Sequence, residues 1–542
     1  MKKRLLLPAL IAMGLLFAGC TAKNTENAPQ VTATPTPVEA SNNGRQNDQG
    51  NGNDFWDYLR QQGVITPTPE PATQTQGDAN TKHAKATATP TPRSESPYAV
   101  LNVSPDRKFT TYVFSITGNT AELTDYPNGI FYGKNYEARG RESERQVFVE
   151  AWDKEGNMIL SQLAGLRIYG GYSRMNYLKS VKLYARESYD AANKNFKYNF
   201  FDTEKLYEDK PVKKYKRLVL RDSGNDWQFA WIRDELAQTL AGQAGFTDYE
   251  AVEPAVYYLN GEYMGFYWLH EVYCDNYFKN KYGDKNKNGE FYVIEGNEQE
   301  KSEEDDDEIK VTLAKEFNKA YAELSVLDYT KDANYRKLTE FMDVENYIKY
   351  YAYNVYICNK DWPNNNYKCY RYIAPEGEGY EAGTIYDGKW RFLLHDMDYS
   401  MGLYNQKECM ANYDKLGEIL SPELKNDKDE LEENAKYAPL FAALMKREEC
   451  RKVFVDFSLE LAEGALSKTN LSNVLDEMNK ERETEMQYFF QYIEILKAKG
   501  AEGIWTGSYL FDGYTNEIKT FAKQRKNYSR AYMEKNFDID LH

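Results

Sequence analysis

Asn359-Lys360-Asp361-Trp362-Pro363-Asn364-Asn365-Asn366, then Tyr367-Lys368-Cys369-Tyr370-Arg371-Tyr372, and after a turn Trp390-Arg391-Phe392-Leu393-Leu394-His395-Asp396-Met397-Asp398-Tyr399: these three runs decide how the chain is read. Before the first, Val344, Ile348, Tyr351, Val355 and Cys358 recur at alternating four- and three-residue steps, which puts them on one face of a helix over 343–358. Asp343 is its expected N-cap. The second run alternates as a strand does, and the third is an apolar strand that delivers Asp396 at its end. Helix, Asp-bearing loop, strand, turn, strand, Asp makes a hairpin that holds two acidic loops close together.

Phosphoryl transfer uses this hardware. One carboxylate orients a hydroxyl nucleophile, and a second carboxylate with an amide oxygen holds the divalent ions that neutralise phosphate charge. Asp361 and Asn366 have the D-x-x-x-x-N spacing of a kinase catalytic loop, and Asp396 follows a strand pair later. Such a site also needs a lysine for the phosphates. In a strand over 178–184, Lys179 shares a face with Val181 and Leu183, while Lys182 points with Ser180 and Tyr184. A lysine on an apolar face needs a negative partner. A nucleotide phosphate would serve, and so would a carboxylate from a helix over 227–241, where Asp234 and Glu235 are equal candidates. The bland alternative is a solvated lysine on an edge strand.

Outward from this core, residues 98–270 hold short runs rich in Val, Ile, Tyr and Phe, such as 146–152, 178–184 and 255–259. Asn260-Gly261 between Tyr-rich runs reads as a hairpin turn, and Asp153-Lys154-Glu155-Gly156-Asn157 as another turn. Trp231, Leu236 and Leu240 form the stripe of the helix over 227–241. Beyond about 310 helices dominate, with further ones over 451–464, 470–498 and 514–535. The acidic run 303–308 reads as a solvated loop. The expected class is α+β, a β-rich lobe at about 97–270 and an α-rich lobe at about 271–542.

The start of the chain differs in kind. Met1-Lys2-Lys3-Arg4 is a positive n-region, residues 5–18 are almost all apolar, and Ala18-Gly19-Cys20 follows. The run is too short to span a membrane and has a secretory signal's flanks. Small residues directly before Cys20 resemble the bacterial lipobox, which implies a signal peptide over 1–19, a lipid on Cys20, and a cell-surface protein anchored to the cytoplasmic membrane. Residues 20–96 form a spacer, with Thr-Pro-Thr-Pro at 34, 66 and 89 and too little apolar surface to fold. The island 55–59 is either a docking peptide or a chance cluster. Five cysteines remain besides Cys20, widely spaced and without metal-ligand spacing. Cys358 and Cys369 could pair, but buried free thiols are the favoured reading. A net charge of −16 argues against nucleic acid as a partner. The 46 tyrosines suit both core filling and a surface for sugars or proteins.

Several stretches in order resemble the CotH family, the spore-coat-protein-like atypical kinases: Gly165 through Arg174, Lys179-Ser180, Leu220 through Asp226, Ile232-Arg233-Asp234, Leu259 through Gly265, the loop from Asn359 to Asn366, and Trp390 through Ser400. The resemblance runs from about 127 to at least 405. It implies a two-lobed kinase-like fold that binds ATP with Mg or Mn and phosphorylates Ser or Thr of protein substrates. It implies Lys179 on the phosphates, Asp361 as the catalytic-loop acid, and Asn366 and Asp396 as metal ligands, with Asp398 assisting. Ser173 and Arg174 after Gly170-Gly171 would cover the phosphates, and Glu271 after His270 would lie at the hinge to the base. The chain has no His-Arg before Asp361, no Asp-Phe-Gly at 396–398 and no G-x-G-x-x-G.

Asp284, Asn286, Asn288, Gly289 and Glu295 match a calcium-loop spacing, although the exit Phe291-Tyr292-Val293-Ile294 reads as a strand where an EF-hand has a helix. A calcium loop and a plain polar turn are the two readings. For the whole chain, the leading expectation is a surface-displayed protein kinase. The alternative is a non-catalytic kinase-like scaffold for polysaccharide or a partner protein. A glycoside hydrolase built on two carboxylates has no ordered motif behind it.

Overall fold

A computed structural model describes Leu101 and residues 107–541, except 133–134, 207, 209, 284–286, 296–307, 422–437 and 502. The signal segment, Cys20, the Thr-Pro spacer, the 55–59 island, most of the acidic run 303–308, and Asp284 and Asn286 lie outside the described residues.

Seven strands carry the β-branched and aromatic runs: β1 (Tyr112–Gly118), β2 (Arg145–Trp152), β3 (Met158–Ile168), β4 (Val181–Tyr184), β5 (Arg217–Arg221), β6 (Val252–Leu259) and β7 (Glu262–His270). They close into a barrel in the order β1-β2-β3-β4-β5-β7-β6. The closing pair is parallel, Tyr112 beside Ala255 through Ile116 beside Leu259, and leaves no unpaired edge. The turn between β6 and β7 takes positive φ at both Asn260 (51°) and Gly261 (85°), as a two-residue hairpin of right-handed strands requires. The Asn260 side chain also accepts from the Gly118 amide at 2.8 Å, tying the turn to β1.

A second, antiparallel sheet has the order β10-β9-β8, from β8 (Glu290–Glu295), β9 (Lys368–Ile373) and β10 (Arg391–Leu393). The helices are α1 (Thr120–Leu123), α2 (Arg233–Gln243), α3 (Asp275–Tyr282), α4 (Glu308–Ser325), α5 (Asp332–Phe341), α6 (Val344–Tyr356), α7 (Lys415–Leu420), α8 (Pro439–Leu444), α9 (Glu448–Glu463), α10 (Lys468–Ala498) and α11 (Ser508–Phe537). Asp343 caps α6 by accepting from the Asn346 amide. More than one stripe of α6 is buried: Tyr347, Tyr350 and Tyr353 are covered along with Val344, Ile348, Tyr351 and Val355. A helix apolar around most of its circumference belongs at the centre of a fold.

Mixed helices and strands agree with the α+β expectation, but the elements are not sorted by position along the chain. The second sheet lies beyond residue 271, and α10 returns to the barrel, where Phe489 meets Trp231 and Phe266. One hydrophobic core includes Val113, Tyr351 and Met533. The helix expected over 227–241 starts later, at Arg233. The Asp226 carboxylate accepts from the amides of Ala230, Ile232 and Arg233, which folds the preceding residues into a loop with Trp231 at φ 49°. β4 likewise starts at Val181, two residues after Lys179.

Two of the four donors of the calcium-loop reading, Asp284 and Asn286, lie outside the described residues. Glu295 ends strand β8 and accepts from the Lys368 ammonium at 2.9 Å, while the Asn288 amide donates to Glu378. Cys274, Cys358, Cys369, Cys409 and Cys450 are all free and buried, so Cys358 and Cys369 do not pair. Among the described residues, no helix is long and apolar enough to cross a membrane.

Candidate active site

α6 ends at Tyr356, and its last carbonyls need donors. Arg525 of α11 supplies them: its fully buried guanidinium donates to Val355 O, Tyr356 O, Ala411 O and Tyr413 O at 2.7–2.9 Å. The chain then turns at Cys358 (φ 54°) and enters the Asp361 loop. Trp362 anchors that loop, packed on Tyr351 and donating from its indole to the Tyr350 hydroxyl at 2.7 Å. The Asp361 carboxylate accepts from the side-chain amides of Asn365 and Asn366, both at 3.0 Å.

The second acidic loop meets the first. The Lys360 amide donates to Tyr399 O at 2.8 Å, and the Asn366 side-chain amide approaches the main-chain carbonyl of Asp396 at 3.4 Å. Asn366 and Asp396 both have positive φ, 52° and 51°. Helix α2 holds the Asp396 segment from behind: Asp234 accepts from the Met397 amide at 2.9 Å and Gln238 donates to Leu394 O at 3.1 Å. Asp361 and Asn366 of the first loop are therefore brought beside Asp396 of the second.

Arg221, at the end of β5, sits among three carboxylates. Its guanidinium donates to Asp396, to Asp398 at 3.0 Å, and lies 3.3 Å from Asp234. Burial alone would raise the Asp396 pKa, but Arg221, with His395 adding, holds it at about 2, so this carboxylate is ionised. Asp398 is enclosed. It also accepts from the Asn225 amide at 2.7 Å and the Asn225 side chain at 3.0 Å, and burial beside Asp396 pushes its pKa up. Gly224 (φ 56°) permits this approach, since a Cβ there would lie 2.1 Å from the Asp398 carboxylate. Burial also raises the Asp361 pKa, and the Asp396 charge adds to the rise.

The other residues singled out from sequence fall elsewhere. The Lys179 ammonium donates to Arg174 O and Asn176 O, both at 2.9 Å, and lies 4.3 Å from the Tyr136 ring centre. Burial lowers its pKa to about 8, and its charged neighbour is Asp222, not Asp234 or Glu235. Those two are engaged separately, Asp234 by Arg221 and Glu235 by His270 at 3.1 Å and Ser223 at 3.2 Å. Arg174 binds its own loop, donating to Gly170 O, Tyr136 O and Ala138 O. Ser173 packs against Gly170 (φ 110°), where a Cβ would come within 2.2 Å of the serine hydroxyl. Glu271 is buried, and its pKa is pushed up to about 7 by that burial, with Asp248 and Glu250 adding and Lys281 opposing.

Sequence reasoning missed the residues that surround Asp396. Arg221 and Asn225 lay inside a quoted stretch but carried no role, because their partners are far away in the chain. His395 meets Glu250 at 2.9 Å, and Lys368, two residues past Asn366, meets Glu295. The only local signal was an unusual density of charged residues next to apolar strands.

Oxygen donors from Asn366 and Asp396, the latter ionised and partly exposed, suit a hard divalent cation. Asp234, Glu235 and His270 also offer ligand atoms within 4.8 Å of one another. That group is buried and already bonded to Arg221 and Ser223.

The family model described as CotH kinase protein matches residues 166–529. The chain belongs to the CotH kinase family. The match begins at Leu166 in β3 and ends inside α11, so it contains every site residue described above but neither β1 nor β2. It extends the resemblance through the C-terminal helices, including α11, which supplies Arg525. CotH membership indicates atypical kinase-like function, with ATP and a divalent metal as the implied co-substrate and cofactor. No curated protein matches the chain.

Proposed function

We propose that this CotH-family chain is an atypical protein kinase that transfers the γ-phosphoryl group of ATP to Ser or Thr hydroxyls of surface or secreted proteins. The observation that carries the reading is the convergence of Asp361, Asn366 and Asp396, which have the donor types and spacing of a phosphoryl-transfer site. In this reading the acceptor hydroxyl attacks the γ-phosphorus, the bond to the bridging oxygen breaks, and ADP leaves. Asp361 orients the hydroxyl and takes its proton; its raised pKa brings it closer to the acceptor's demand. Asn366 and Asp396 would hold Mg or Mn, which supplies neutralisation of phosphate charge. Asp398 supports Asp396 through their shared Arg221. Lys179, Ser173 and Arg174 shape the turn after Gly170-Gly171 that lies on the nucleotide side, and Glu271 marks the hinge. The β-rich and α-rich parts act as the two lobes around this site. By the same proposal Cys20 carries a lipid that anchors the protein at the cell surface, with 20–96 as the tether.

The test is incorporation of label from γ-labelled ATP into protein, wild type beside Asp361→Ala, with Mg and with Mn. Label in the wild type and none in the variant is expected. Heat denaturation should also rise with ATP and metal in the wild type and not in Asp396→Ala. No label with either metal, and no ATP-dependent stabilisation, would refute the kinase and leave an anchored scaffold.

A further inference from the structure

Arg221 is shared among several carboxylates. Asp234, Asp396 and Asp398 surround one guanidinium, and Asp361 stands beyond Asp396. Several buried carboxylates compete for that single cation. The three partners are held differently. Asp398 has two further bonds from Asn225, and Asp234 has one from the Met397 amide. The Asp396 carboxylate accepts from Arg221 and shares a further side-chain hydrogen bond with Asp398. Its side chain is also the accessible one, 27% exposed against 1% for Asp398 and 0% for Asp234.

We propose that Arg221 is a resident counter-cation for Asp396: it holds the carboxylate in place without metal, yields it to an incoming divalent cation, and so sets how tightly that cation binds. Asp398 and Asp234 retain the guanidinium after the exchange, because their bonds lie on the buried side. Arg221 is thus a positioning residue. Its charge weakens metal binding by repulsion while its bond holds the Asp396 carboxylate in place. The inference rests on the reading of Asn366 and Asp396 as metal ligands.

Mn2+ binding to the full chain, followed by the electron paramagnetic resonance signal of free Mn2+, tests it without turnover. Arg221→Gln removes a positive charge from the first few ångströms around the cation and should tighten Mn2+ binding by about tenfold or more. A merely structural arginine would weaken it when lost. Asp396→Asn should abolish binding. If Asp396→Asn loses Mn2+ but Arg221→Gln binds it no better than wild type, the Arg221 inference fails and the site reading survives. If wild type and Arg221→Gln both fail to bind Mn2+, or Asp396→Asn binds it unchanged, both fail. Should Arg221→Gln not fold, as judged by circular dichroism, a crystal structure of the wild type with Mn2+ decides. The Arg221–Asp396 hydrogen bond must then be broken, with the hydrogen bond to Asp398 and the ion pair with Asp234 kept; persistence of the Asp396 bond overturns the proposal.

Discussion

Replacing Arg525 by Met should destabilise the protein by about 3 kcal/mol and disturb the Asp361 loop at the same time. The guanidinium makes four hydrogen bonds to main-chain carbonyls, two of them at the end of α6 and two in the segment after Cys409. Bonds from a charged donor contribute about 1.5 kcal/mol each at the low end, so about 6 kcal/mol is at stake before other terms. Several kcal/mol of guanidinium desolvation are recovered when the charge is removed, and Met refills part of the volume, leaving a net loss of about 3 kcal/mol. Urea unfolding followed by tryptophan fluorescence reads the change. Arg525→Lys, with one point charge and no planar fork, should fall between the two. Phosphorylation should drop further than stability alone explains, because the freed carbonyls lie at the entrance to the Asp361 loop. An Arg525→Met protein within about 1 kcal/mol of wild type would refute the claim that this arginine caps the helix.

Glu271 gives a pH signature. Its folded pKa of about 7 lies above the unfolded value, so the folded state keeps the proton longer, and stability is full below about 4.5 and falls as pH rises to about 7. Glu271→Gln should remove that fall relative to wild type in urea titrations between these pH values. Trp362→Phe should cost about 1 kcal/mol for the lost bond to Tyr350, and Trp362→Ala about 3–5 kcal/mol with loss of phosphorylation, measured by denaturation and labelling. Alkylation of the unfolded protein without reductant should modify Cys274, Cys358, Cys369, Cys409 and Cys450 alike, as read by peptide mass spectrometry; a protected pair among them would contradict the free thiols.

What was legible in the sequence was whatever local periodicity encodes. The helix that became α6, its Asp343 cap, the strands flanking the Asp361 and Asp396 loops and the Asn260-Gly261 turn each depend on residues within a few positions of one another. Closure of the barrel depends on β1 pairing with β6, more than a hundred residues later, and no pattern in either strand names its partner. The start of α2 was missed because one carboxylate, Asp226, captures three amides that a helical stripe would have counted as helix. Period two put Lys179 on the face of Val181 and Leu183, but its two acceptors are carbonyls three and five residues earlier, in a turn that strand periodicity does not describe.

The long C-terminal helices carried no motif, yet they bear on both sides of the site. Arg482 of α10 donates to Ala230 O and Trp231 O, in the loop just before α2, and α2 positions Asp396 through Asp234 and Gln238. Arg525 of α11 does the same for the end of α6, which leads into Asp361. Each acidic loop is therefore backed by a helix whose terminus is held by a buried arginine from the last third of the chain. A buried guanidinium bonded to several neutral carbonyls fixes geometry better than apolar packing, because any shift leaves a charge unsatisfied. The distance between Asp361 and Asp396, on which phosphoryl transfer would depend, is in this sense set from outside both loops. The family match continues to residue 529, far past the last residue of the site itself, and so spans both arginines.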